Sequence, residues 1–119
     1  MRVIVAGSRG ITDYRVVEEA ILRSGFNVTE VVSGTARGVD QLGERFGALN
    51  GIPVRRFPAD WERYGRSAGY RRNEQLVACA IQAPDGGALV AVWDGVSRGT
   101  RHTIELARRA GLPTYVHRA

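Results

Sequence analysis

A chain of 119 residues, 44% apolar and carrying a net charge of +5, is the size of one domain, 1–119, that buries roughly two-thirds of its unfolded surface. Its basic residues are seventeen arginines and no lysine, which excludes a Walker A lysine, a Schiff base and a lysine general base. No apolar run approaches the ~20 residues of a membrane span, and the lone Cys79 has no partner for a disulfide, so cytosol is the expected compartment. The arginines are scattered rather than clustered, so charge alone does not choose between a nucleic acid and a small acidic or phosphorylated ligand.

Val3-Ile4-Val5-Ala6 is a continuous apolar run ended by Gly7, the pattern of a strand buried on both faces. Thr12 or Asp13 caps the helix that follows, with Val16, Val17, Ala20 and Ile21 at helical spacing and Gly25 as its stop. A second strand at Glu30–Ser33 leads to a helix marked by Ala36, Val39, Leu42, Phe46 and Leu49 and ended near Asn50-Gly51. Residues Pro53–Phe57 form a short strand that Pro53 and two arginines assign to a sheet edge. The segment Pro58–Ala68 reads as an irregular connector. Next comes a helix from about Gly69 to Gln82, with Leu76, Val77, Ala80 and Ile81 on its buried side. Asp85-Gly86-Gly87 turns into the most hydrophobic strand, Ala88–Trp93. A last helix over Gly99–Ala110 and a strand at Pro113–Val116 close the chain. Alternating strands and helices predict an α/β fold with a parallel sheet and helices on both faces.

Three glycine-centred turns fall where a strand meets a helix: Gly7–Gly10, Ser33–Gly38 and Gly95–Thr100. Such turns leave backbone N–H groups facing outward at the positive end of a helix dipole, a cradle for phosphate. The first is not a dinucleotide fingerprint, because the G-x-G-x-x-G spacing and the acid ending the second strand are both missing. Ser8 and Arg9 are placed to bond a ligand. In the second turn, Gly34 and Gly38 allow left-handed backbone or close approach, and Thr35 can cap the next helix. Arg37 and Asp40, three apart, either serve the site or pair on the helix surface.

Arg72 and Asn73 lie four residues before Leu76 and Val77, so both continue the core-facing stripe, where a guanidinium and an amide need a partner. In the third turn the N–H groups from Gly99 to Arg101 and the Thr100 hydroxyl are phosphate donors, and Asp94 either bonds a sugar or base or caps the turn. Trp61, Tyr64 and Tyr70 either stack on a base or cover the core. His102 and His117 stand apart and lack metal-ligand spacing, so no metal site is expected, and no catalytic triad or nucleophile elbow is present.

Taken together, G-S-R at 7–9, S-G-x-A-R-G-x-D at 33–40, R-N at 72–73 and W-D-G-x-S-x-G-T at 93–100 resemble the SLOG superfamily. That group unites the LOG phosphoribohydrolases, the DprA DNA-processing proteins and small stand-alone YspA-like proteins, to which this chain is most similar. The resemblance implies a Rossmann-like three-layer fold with a five-stranded sheet in the order 3-2-1-4-5, a nucleotide or nucleotide-derived ligand, and by analogy a homo-oligomer.

It also implies a site built from Gly7, Ser8, Arg9, Ser33, Gly34, Thr35, Ala36, Gly38, Arg72, Asn73, Asp94, Gly95, Ser97, Gly99 and Thr100, with no cofactor. LOG enzymes carry P-G-G-x-G-T-x-x-E; here Gly99-Thr100 match, but Thr103 stands at the glutamate position. Glu105 lies about 200° further round the helix. Without that carboxylate no catalytic residue is assigned, and binding that senses or sequesters the ligand is expected ahead of N-glycosidic hydrolysis or DprA-like binding of single-stranded DNA.

Overall fold

The computed structural model covers residues 1–119, and its elements alternate as the periodicity predicts. Strand β1 (Arg2–Gly7) lies at the centre of a wholly parallel sheet in the order β3-β2-β1-β4-β5, with β2 at Glu30–Ser33, β3 at Val54–Arg56, β4 at Gly87–Trp93 and β5 at Thr114–Arg118. β1 runs alongside β4 over its whole length, with Arg2 opposite Gly87 and Gly7 opposite Val92. The edge placement of β3 is as expected, and its two arginines are paired: Arg55 with Glu30 and Arg56 with Glu44, each at 2.8 Å.

Alternate side chains of each strand enter opposite layers, which is why the strands carry unbroken apolar runs. Val3, Val5, Val31, Val90 and Val92 pack on helices α1 (Tyr14–Ser24) and α2 (Val39–Leu49). Ile4, Ala6, Val32, Leu89 and Ala91 pack on α4 (Ala68–Ile81) and α5 (Arg98–Arg109). The chain therefore winds outward from β1 to β3 with its helices on one face. It then crosses to β4 and winds outward again with helices on the other, so the direction reverses between β1 and β4. A ligand crevice belongs at the carboxyl ends of these two strands.

Local signals act where expected at α1: the Asp13 carboxylate accepts the Arg15 N–H at 3.0 Å, and Gly25 ends the helix with φ of 74°. Three expectations need correction. The connector is not irregular, because Asp60 accepts the Arg63 N–H at 3.1 Å and starts a one-turn helix, α3 (Trp61–Tyr64), followed by a 3-10 turn at Gly65–Ser67. Leu49 and Ile81 are 62% and 54% exposed; each is the final residue of its helix, where no element packs over the side chain. Helix α2 begins at Val39, three residues later than the Ala36 stripe implies, because Gly38 at φ of 78° stops any helix from extending back through it.

Candidate functional site

The first and third turns are fastened together by Ser8. Its N–H donates to the Val92 carbonyl at 3.1 Å and its hydroxyl oxygen accepts the Asp94 N–H at 3.0 Å, while its carbonyl receives the N–H groups of Ile11 and Val39. Ser8 is 2% exposed and serves as a junction between the two turns. The turns meet backbone to backbone. A Cβ on Gly7 would fall 2.0 Å from the Val92 carbonyl oxygen, and one on Gly38 would fall 2.5 Å from that of Ser8.

The second turn is occupied by the protein itself. The Thr35 N–H donates to Ser33 Oγ at 3.1 Å and the Ala36 N–H to Asp40 Oδ2 at 3.2 Å. Thr35 caps nothing: it sits at φ of 65°, and the N-cap of α2 is Gly38, which has no side chain to offer. Arg37 and Asp40 do not pair either, for Arg37 is exposed while Asp40 is 5% exposed and turned toward Arg72.

The cause lies in α2, where Gly43 and Gly47 let the helix press on the sheet. A Cβ at either would lie within 2.7 Å of Val5 or Val54. Asp40 precedes these glycines by three and seven residues and so shares their inward stripe. Burial raises its carboxyl to about 6, against the opposing pull of the Ala36 N–H and the Arg72 charge.

Arg72 and Asn73 point inward, as the stripe predicts. The Arg72 guanidinium donates to the Gly34 carbonyl, and its Nε donates to Asn73 Oδ1 at 3.0 Å. Burial lowers the Arg72 pKa, with Asp40 opposing the shift. Because Asn73 Oδ1 accepts from Arg72, its amide nitrogen faces α5, donating to the Gly99 carbonyl at 3.3 Å and to His102 Nδ1 at 3.2 Å. An amide nitrogen has only hydrogens to offer, so His102 Nδ1 accepts and the ring proton sits on Nε2. Burial lowers the His102 pKa, consistent with that neutral tautomer.

At the third turn Asp94 Oδ1 accepts the N–H groups of Val96 and Ser97, each at 2.8 Å, and these bonds hold its carboxyl below the ordinary range. Ser97 caps α5 through the Thr100 N–H at 3.5 Å, and Thr100 Oγ1 lies 3.2 Å from Ser97 Oγ. The N–H groups of Arg98 and Gly99, first in the helix, have no acceptor.

These elements enclose a cavity of about 380 Å³ at the carboxyl ends of β1 and β4. Of the expected residues, Gly7, Arg9, Ala36, Arg72, Asn73, Asp94, Ser97, Gly99 and Thr100 line it, whereas Ser8, Ser33, Gly34, Thr35, Gly38 and Gly95 do not. Arg9 is exposed and its guanidinium bonds to nothing in the protein. Asp40, for which the sequence leaves site and surface pair open, also lines the cavity, as does Thr103, which the sequence does not single out as a ligand contact.

A family model described as the YspA, cpYpsA-related SLOG family matches residues 1–64, which hold the first two turns. The chain is also 34% identical to the Gene 61 protein of Mycobacterium phage D29 over 122 residues, covering 94% of this chain and 92% of that protein. The chain belongs to the YspA, cpYpsA-related SLOG family. No solved structure matches it. In this SLOG protein Thr103, at the position of the LOG glutamate, does face the cavity, with its hydroxyl turned back to the Gly99 carbonyl at 3.2 Å. Glu105 is exposed on the outer side of α5. The carboxylates left in the cavity wall are Asp40 and Asp94.

Proposed function

We propose that this SLOG protein binds a nucleotide or nucleotide-derived phosphorylated ligand in the cavity over β1 and β4. The observation that carries the reading is the pairing of unclaimed Arg98 and Gly99 amides with Arg9, a cavity-lining guanidinium that has no protein partner. A helix dipole contributes only ~0.3–1 kcal/mol at an exposed site, and a hydrogen bond to a charged group about 1.5–3 kcal/mol. The phosphate therefore depends on Arg9 as well as on the amides, and Asp94 Oδ2 is left to accept from a ribose hydroxyl.

Calorimetric titration with AMP, ribose 5-phosphate and adenosine tests this. The two phosphorylated compounds bind and adenosine does not; Arg9→Ala weakens them by roughly tenfold or more without lowering the melting temperature, since the side chain supports nothing. Equal binding of adenosine and AMP refutes the phosphate assignment.

Asp40 favours a second reading, hydrolysis. A carboxyl near 6 in the cavity wall can hold or give a proton close to neutrality. Water would then add across the C1′–N bond of a nucleoside monophosphate, its oxygen going to C1′ and a proton to the departing base. Release of free base, followed by chromatography and lost in Asp40→Asn, would establish turnover over binding alone.

A further inference from the structure

Beside the main cavity, and sharing Arg9, Arg72, Asn73 and Gly99 with it, lies a second compartment of about 190 Å³ walled by Trp61, Arg66, Gly69 and Tyr70. We propose that this compartment is a base site selective for 6-oxopurines, guanine or hypoxanthine, in a nucleotide whose phosphate occupies the main cavity. The proposal rests on the phosphate reading above and adds to it where the base lies and which base it is.

Two aromatic rings are held at the compartment without being used by the core. Trp61 is 52% exposed on the one-turn helix α3, yet it is not loose: a Cβ on Gly69 would sit 3.4 Å from its ring, so the indole lies against the first turn of α4. Tyr70 is 46% exposed and meets the ring of His102 edge-on at 4.7 Å between centroids. His102 is fixed in turn by Asn73. Tyr64 differs, since Arg71 and Arg63 already cover its ring at 4.3 and 5.1 Å. Trp61 and Tyr70 thus remain as free faces for a planar base.

The polar groups around them donate. Arg9 and Arg66 have no protein partner. The acceptors nearby are taken: Asn73 Oδ1 by Arg72, and the Gly99 carbonyl by Asn73 and Thr103. No carboxylate lines the compartment. A base edge with two adjacent acceptors matches a guanidinium fork, and O6 with N7 of a 6-oxopurine is that edge. Adenine places its N6 amino donor beside N7 and meets a second donor there.

Calorimetric titration of the intact protein with GMP, IMP, AMP and ribose 5-phosphate decides the matter. GMP and IMP are expected to bind roughly tenfold tighter than AMP and tighter still than ribose 5-phosphate. Arg66→Ala removes the preference among bases, and Trp61→Ala weakens every nucleotide while leaving ribose 5-phosphate unchanged. Arg66 bonds to nothing, so its variant should keep the melting temperature, and unchanged binding of ribose 5-phosphate by Trp61→Ala shows that losing the indole's contact with Gly69 leaves the fold intact. If ribose 5-phosphate binds as tightly as GMP, or AMP as tightly as GMP, the base site is overturned while the phosphate site stands. If nothing in the series binds, the phosphate reading falls and this one with it.

Discussion

Asp40 gives the sharpest test of the site's electrostatics. Its carboxyl is raised from 3.8 to about 6 because the side chain is buried, so the folded protein holds this proton more tightly than the unfolded chain does. Between those two pH values the native state binds more protons, and stability contributed by this residue falls as pH rises. At 1.36 kcal/mol per pH unit the shift of roughly two units amounts to about 3 kcal/mol, absent below 3.8 and fully present above 6. Asp40→Asn keeps the shape and removes the titration. The loss of attraction to Arg72 also differs between the two proteins, but it is already contained in the shifted pKa.

Urea unfolding of both proteins from pH 4 to pH 7 gives the difference in their stabilities. Over that range it should move against the wild type by about 2.5 kcal/mol and level off above pH 6. His102 works in the opposite sense: its lowered pKa costs stability as pH falls below 6.5, but it is present in both proteins and cancels in the difference. A difference that is flat with pH, or that favours the wild type as pH rises, would mean that Arg72 compensates the buried charge, and the argument fails.

Gly38→Ala combines a left-handed backbone with a Cβ 2.5 Å from the Ser8 carbonyl oxygen, whereas Gly51→Ala has φ of 66° and open space. Chemical denaturation should show a loss of ~1–2 kcal/mol at Gly51 and about 3 kcal/mol or more at Gly38. Asn73→Ala strands the Arg72 Nε and weakens the seam between α4 and α5. A loss of about 2 kcal/mol is expected in the same assay, together with weaker binding of AMP, because Arg72 is no longer held in place. An anionic phosphate placed near Asp40 raises its pKa further, so binding at pH 6.5 should take up a fraction of a proton. Calorimetry in buffers of different ionisation enthalpy measures that uptake, which should fall in Asp40→Asn.

The fold was legible because its strands are buried on both faces. Val3–Ala6 and Ala88–Trp93 carry apolar runs too short for helices, and the glycines after them mark where the chain leaves the sheet. Asn73 was legible for a related reason, being a polar residue in register with Val77. Asp40 was not. Its neighbour Arg37 offers an equally good surface partner in sequence, and the stripe that turns Asp40 inward is made of glycines, which hydrophobic periodicity does not register. Reading Asp40, Gly43 and Gly47 as one face would have found it, since small residues at helical spacing mark close helix–sheet contact. The helical turn at Trp61 was missed for want of length: four residues show no period, and only the capping relation of Asp60 to Arg63 announces it.

The three turns are not equivalent in space, because the protein's own oxygens take part of the amides of each. Ser33 and Asp40 take the Thr35 and Ala36 amides of the second turn, Ser8 and Asp94 tie the first to the third, and the Arg98 and Gly99 amides that open α5 stay free. The cavity wall then carries Arg9 and Arg72 against Asp40 and Asp94, with no net charge when both acids are ionised. The wall itself therefore adds little net attraction for a phosphate to that of the chain's +5 charge, and affinity depends on short, directed bonds. The balance shifts as pH falls through 6 and Asp40 takes a proton, but a phosphate monoester has its own second pKa near 6. Ligand and protein therefore compete for one proton in the same range, and dianion binding should be strongest where Asp40 holds that proton and the phosphate does not.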